Sequence, residues 1–270
     1  MLFRSFALPL AYGHPFIFGF VNFALAMALA LLAFALWLRL ARQGRLKLRA
    51  ELFVVIGPVL WITHTFGWGT LGVLAFSAEL IRQHDRGGSW PRAIFWTGIH
   101  CLSLTPPILL MVAWRSGHVG GQTADWFNWT RKGEYLTETL RDRYQLYDEL
   151  SLAPISLIIV YGLFSGNAET SRNLRASAIF LIAAFILLPR IVFGSAYADM
   201  RLTPYMIAIA VIAVRMRPSA NPKVMQGIAL VGLVFFASRI LSTTLSFAKA
   251  SREADTALAA LDHVDRKSVV

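Results

Sequence analysis

The chain has 270 residues, of which 56% are hydrophobic and only 15% charged, with a mean hydropathy of +0.56. A soluble domain of this length has too little interior to hide that much apolar surface, so the composition describes an all-α polytopic membrane protein, a transmembrane helical bundle. Lys and Arg outnumber Asp and Glu by 26 to 15, a formal charge of +11, but they flank apolar runs in short loops. That is the pattern of the positive-inside rule, not of a nucleic-acid surface.

A helix needs about 20 apolar residues to cross a hydrocarbon core. In chain order, Phe16–Leu38 is an uncharged first segment, and Leu52–Ala78 is a second that is longer than one crossing needs. Ala93–Trp114 is a third, bent at Pro106-Pro107, where neither proline can donate a helical hydrogen bond. Leu150–Ala168 is a fourth, and Ala176–Phe193 a fifth whose Arg190 would snorkel to the headgroups. Leu202–Val214 is a short sixth, and Val224–Ala248 is a seventh that carries Arg239 within it. Met1–Pro15 lacks the charged start, apolar middle and small-residue site of a cleavable signal peptide.

The second segment contains His64-Thr65-Phe66-Gly67-Trp68-Gly69-Thr70, which suits either one long tilted helix or a re-entrant hairpin turning at Gly67–Gly69. With a single crossing, Lys and Arg divide seven against nine and orient nothing. With a hairpin, Arg39–Arg49, Arg82–Arg92, Arg172, Arg175 and Arg215–Lys223 share one face, thirteen against Arg4, Arg190 and Arg201. The hairpin therefore puts the Arg39–Arg49 loop in the cytoplasm. Residues 1–264 form one helical membrane domain on this reading, part of a longer chain. Its hydrophilic excursion, 115–149, opens on Gly117, Gly120 and Gly121 and faces the periplasm. There Leu136, Leu140, Tyr144, Tyr147 and Leu150 recur at helical spacing, predicting an amphipathic helix lying on the membrane. Residues 265–270, Asp-Arg-Lys-Ser-Val-Val, match what sequencing-adapter DNA encodes in one frame, so we expect a non-native tail there.

Candidate chemistry is sparse. Asp199 and Arg201 follow a small-residue stretch at the start of the sixth segment. Together they could manage a proton and bind a phosphate, or simply anchor a helix end as an interfacial charge pair. His64 is an intramembrane histidine, a catalytic candidate by position or a packing donor to a carbonyl across helices. Asp125 with Trp126 and Trp129 combines an acid with aromatic faces suited to a sugar or lipid headgroup, or to an aromatic belt. Arg239 could meet a lipid phosphate or pair with an acid such as Asp199. Cys101 is the only cysteine, and P-loop, dinucleotide and zincin patterns are all missing. No motif specifies a cofactor or metal.

Three stretches carry a resemblance: Tyr12-Gly13-His14-Pro15 leading to Gly19-Phe20-Val21-Asn22-Phe23; Trp61–Glu79, which holds His64-Thr65-Phe66-Gly67-Trp68; and Leu188-Pro189 followed by Tyr197-Ala198-Asp199-Met200-Arg201-Leu202. Together they resemble the downstream half of bacterial polytopic proteins similar to C-type glycosyltransferases. The resemblance implies sugar transfer from a polyprenyl-phosphate donor in cell-envelope glycan assembly, with a lipid-linked sugar and membrane lipid as partners. That family's acidic catalytic loop follows its first transmembrane helix, upstream of where this pattern begins, so no catalytic residue is carried over. A transporter or flippase-like protein whose His64–Thr70 segment lines a path competes with this reading, as does a non-catalytic membrane subunit. A transporter would show an inverted repeat of its spans.

Overall fold

The computed structural model describes residues 3–113 and 121–259. The start of the 115–149 excursion, with Gly117 and Gly120, and the 265–270 tail lie outside them. The described chain is helical almost throughout. Short helices α1 (Arg4–Ala7) and α2 (His14–Ile17) precede α3 (Val21–Arg42), α4 (Leu46–Thr63) and α5 (Thr65–His84). Then come α6 (Trp90–Cys101), α7 (Pro106–Ala113), α8 (Trp129–Thr137), α9 (Gln145–Leu150) and α10 (Leu152–Phe164), followed by α11 (Arg172–Leu187), α12 (Thr203–Ala213) and α13 (Pro222–Ala259). Two three-residue strands, β1 (Ala168–Thr170) and β2 (Val214–Met216), pair antiparallel and tie the ends of α10 and α12 together.

Among the described residues, three helices are long and apolar enough to cross a membrane: Val21–Arg42, Gln145–Phe164 (α9 and α10 together) and Pro222–Ala259. A fourth is added if the bent pair α6–α7 counts as one. That pair bends by 56° at the expected prolines, and at the break the Leu104 carbonyl accepts from Trp68 Nε1 at 2.7 Å.

The second apolar segment does fold back on itself, but at His64 and not at Gly67–Gly69. His64 is extended (φ −172°, ψ 129°), and its Nδ1 caps α5 by accepting from the Phe66 amide at 3.2 Å. Helices α4 and α5 then run antiparallel, so that Arg49 near the start of one meets Glu79 near the end of the other at 2.9 Å. Gly67 has a different use. A Cβ there would lie 2.7 Å from Ala26 Cβ and 2.9 Å from its carbonyl oxygen, so the bare backbone is what lets α5 lie against α3. The hairpin is as deep as α3 is long, because His64 touches Phe23 at one end of α3 and Arg49 stacks on Trp37 towards the other.

The main core lies between α3, α4, α5, α11 and α12, filled by Phe23, Phe34, Trp37, Phe53, Leu74 and Phe185. A second cluster packs α1, the 3-10 turn after it and α10 on α12 through Phe6, Leu10, Ile155 and Val211. Outside these, large apolar side chains face outward along the helices, among them Leu32, Ile62, Leu109, Phe164 and Leu245. An apolar exterior around an equally apolar core is the arrangement lipid requires and water penalises.

The helix expected over Leu136–Leu150 is two helices. Thr139 Oγ1 turns back onto the Tyr135 and Leu136 carbonyls, and Asp148 accepts from the Asp142 amide at 2.9 Å. Arg239 of α13 reaches in to pair with Asp148 at 2.6 Å and to donate to the Leu140 carbonyl at 2.9 Å. Leu140 is consequently buried, whereas Tyr144, Leu146 and Leu150 are exposed. Arg4, expected opposite the basic loops, lines one cavity with Arg42 and Arg215.

Candidate functional site

At the end of the bundle away from the arginine-rich loops, segments 121–128 and 188–199 are knitted together. Ala124 bridges Ile191, the Arg190 amide donates to the Asp125 carbonyl at 3.2 Å, and the Gly194 amide donates to the Gln122 carbonyl at 2.9 Å. Among the described residues, every non-glycine residue with positive φ lies in these two segments: Asp125 (64°), Phe127 (54°), Phe193 (49°) and Tyr197 (63°). Aspartate tolerates that region, but Phe and Tyr seldom adopt it, and each costs about 1–3 kcal/mol. Such strain persists only where surrounding contacts over-determine it.

Arg201 is the centre of this end. It is 6% exposed. Its Nη2 donates to Ser195 Oγ at 3.1 Å and to the Ala196 carbonyl at 3.0 Å, while its Nε is buried without a partner. The guanidinium lies 3.9 Å over the Phe20 ring, with Phe23 and Phe66 about its rim. Those two phenylalanines are also the neighbours of His64. No carboxylate among the described residues forms an ion pair with Arg201. The other deeply buried cations differ: Arg49 meets Glu79, Lys132 meets Asp199, and Arg239 meets Asp148.

Asp199 and Arg201 are therefore not a pair, although they are two residues apart. Asp199 is fully buried; its Oδ2 takes Lys132 Nζ at 2.9 Å and its Oδ1 caps the following turn through the Met200 amide at 3.0 Å. Lys132 spends its other protons on the Phe185 and Leu188 carbonyls, at 2.7 and 2.8 Å, where α11 ends. All three of its donors are used. Nor does Arg239 meet Asp199; its acid is Asp148, with Ser151 Oγ at 3.4 Å and Tyr147 beneath it.

Asp125 faces the outside of the same end. Arg190 Nη1 donates to it at 3.0 Å and Asn128 Nδ2 at 3.0 and 3.3 Å, which holds its carboxyl below the usual carboxylate range. Arg190 is held further towards its charged form by the Asp125 and Tyr135 oxygens. Burial pushes the Tyr135 phenol up. Trp126, Phe127 and Trp129 form an exposed aromatic run beside Asp125, with centroid spacings of 6.4 and 6.1 Å. Lys132, Tyr135, Ser195 and the Asp125 contact of Arg190 escaped the sequence reading. Lys132 looks like part of a solvated helix face, and only Leu188-Pro189, which stops α11, hints that Arg190 lies beyond a span. Among the described residues no trio of His, Cys, Asp or Glu is arranged to hold a metal ion. No protein-family model, curated protein or solved structure matches the chain.

Proposed function

We propose that this is a multi-pass inner-membrane protein that binds a phosphate-linked lipid at Arg201, as sugar transfer from a polyprenyl-phosphate donor requires. The observation that carries this reading is a buried guanidinium on an aromatic bed with no carboxylate partner. Burying such a charge is costly unless an anion joins it, and the arginine fork matches a phosphate with two hydrogen bonds. Backbone strain in the neighbouring loops and the exposed Trp126–Trp129 run beside them support a site at this end. Asp125 is the acid best placed to meet a sugar there, because Asp199 is committed to Lys132.

In this proposal the arginine-rich end faces the cytoplasm, the Trp126/Trp129 loop faces outward, and the α4–α5 hairpin enters from the cytoplasmic end and turns back at His64 beside α3. The test is binding of undecaprenyl phosphate to the purified chain in detergent, read by quenching of tryptophan fluorescence. Arg201→Lys keeps the charge and loses the fork, and should weaken binding about tenfold. Arg201→Gln should weaken it further, by an amount equivalent to losing a charge-assisted hydrogen bond of about 1.5–3 kcal/mol. Unchanged affinity in both variants would make Arg201 a structural cation only.

A further inference from the structure

We infer that the arginine-rich end carries a second phosphate site, one for the headgroup of an anionic phospholipid whose chain lies in the adjoining groove. Three cavities follow one another there. The first, about 410 Å³, lies between α3, α5 and α11 and is lined by Arg42, Arg82, Arg86 and Arg215 against one carboxylate, Glu79. That carboxylate is already consumed by Arg49, Arg82 and Gln83, so the cavity has an unbalanced positive charge. Arg82 Nη1 is buried and has no hydrogen-bond partner. The start of α11, whose Ser171 side chain makes no cap, opens onto the same space.

The second cavity, about 540 Å³, shares Arg42, Leu174 and Arg215 with the first and adds Arg4. The third, about 290 Å³, shares Arg4 and Ile212 with the second and is otherwise apolar, running between α3 and α12 past Ala24, Ala28 and Ala208. Small side chains, Ala24, Ala28 and Ala208, line this apolar groove, and it begins where the arginines end. Charge and shape thus run in the order of a lipid, phosphate first and hydrocarbon after. Basic pockets of this kind between membrane helices hold acidic headgroups. This site and Arg201 sit at opposite ends of α3: Arg201 lies by Phe23, and the first cavity by Trp37. Fourteen residues of helix separate the arginine-lined cavity from Arg201 by on the order of 20 Å, and the apolar groove runs from the first towards the second, past Ala24 and Tyr205.

The experiment is native mass spectrometry of the delipidated full chain titrated with phosphatidylglycerol or phosphatidylcholine, with inorganic phosphate as the soluble probe. Arg42→Gln and Arg215→Gln touch no ion pair among the described residues and should each weaken phosphatidylglycerol retention about fivefold, the equivalent of about 1 kcal/mol per basic residue. Arg45→Gln, exposed at the same end but outside the cavities, should change nothing, and phosphatidylcholine should bind weakly throughout. Ala28→Phe, which fills the groove, should weaken the lipid and leave inorganic phosphate unaffected. Arg201→Gln should leave phosphatidylglycerol retention intact, so failure here and failure at the other end are separately visible. Equal losses in Arg45→Gln would reduce the site to general surface charge. Inorganic phosphate binding as well as the lipid, with Ala28→Phe silent, would overturn the lipid assignment.

Discussion

Removing the Asp199 carboxylate tests whether that residue is structural or chemical. Asp199 is fully buried and Lys132 is 2% exposed, and the ammonium has three acceptors, of which only Asp199 carries charge. Asp199→Asn keeps an oxygen in place but leaves the ammonium uncompensated. Breaking one side of a buried ion pair costs about 3–5 kcal/mol. Lys132→Met strands the carboxylate and two carbonyls at the end of α11, and should cost at least as much. The double variant Lys132→Met/Asp199→Asn removes both charges together, so its loss should fall short of the sum by about 2–3 kcal/mol. The assay is equilibrium unfolding in mixed detergent micelles, followed by tryptophan fluorescence, on all four proteins. Additive losses, or an Asp199→Asn variant as stable as the parent but without turnover, would refute the structural reading and return Asp199 to the chemistry.

Gly67→Ala should destabilise the bundle by about 1–3 kcal/mol, because its Cβ would meet the Ala26 backbone and force α5 off α3. Gly69→Ala, with nothing within 4 Å, should instead stabilise by up to about 1 kcal/mol; matching losses in the same unfolding assay would deny the close α3–α5 approach. Since the Asp125 carboxyl is held below its ordinary range by Arg190 and Asn128, its contribution is complete above the ordinary carboxylate pKa and disappears as pH falls through the lowered value. Trp126 and Trp129 fluorescence should therefore stay constant from pH 7 down to about 4 and change only below it, with the change moving upward in Arg190→Gln; a parent transition near neutrality would contradict the contact. Cysteines placed at Gln43 and Gly88 in a Cys101→Ala background should label from the same side of the membrane, as the His64 turn demands, and labelling from opposite sides would exclude the hairpin.

How much of this was legible beforehand depends on whether the cause is local. Hydrophobic content and the length of uncharged runs dictate helices in lipid, because a buried backbone must satisfy its own hydrogen bonds. The bend at Pro106-Pro107 is equally local, since proline cannot donate wherever it sits. The basic loops even implied a fold-back in the second segment, because charge bias is a property of loops alone. What the sequence could not assign was which charges meet. Asp199 and Arg201 are neighbours along the chain, yet Asp199 faces Lys132, 67 residues away, and Arg201 faces phenylalanines. Asp148 and Arg239, 91 residues apart, split a continuous helical pattern into two helices, an outcome no 3.6-residue period records. The turn fell at His64 because one ring nitrogen could cap α5, and Gly67 was left for packing against α3. In a chain with so few charges, partner choice rests on helix packing, so only the tertiary structure could single out Arg201, among the described residues, as the deeply buried cation without an acid.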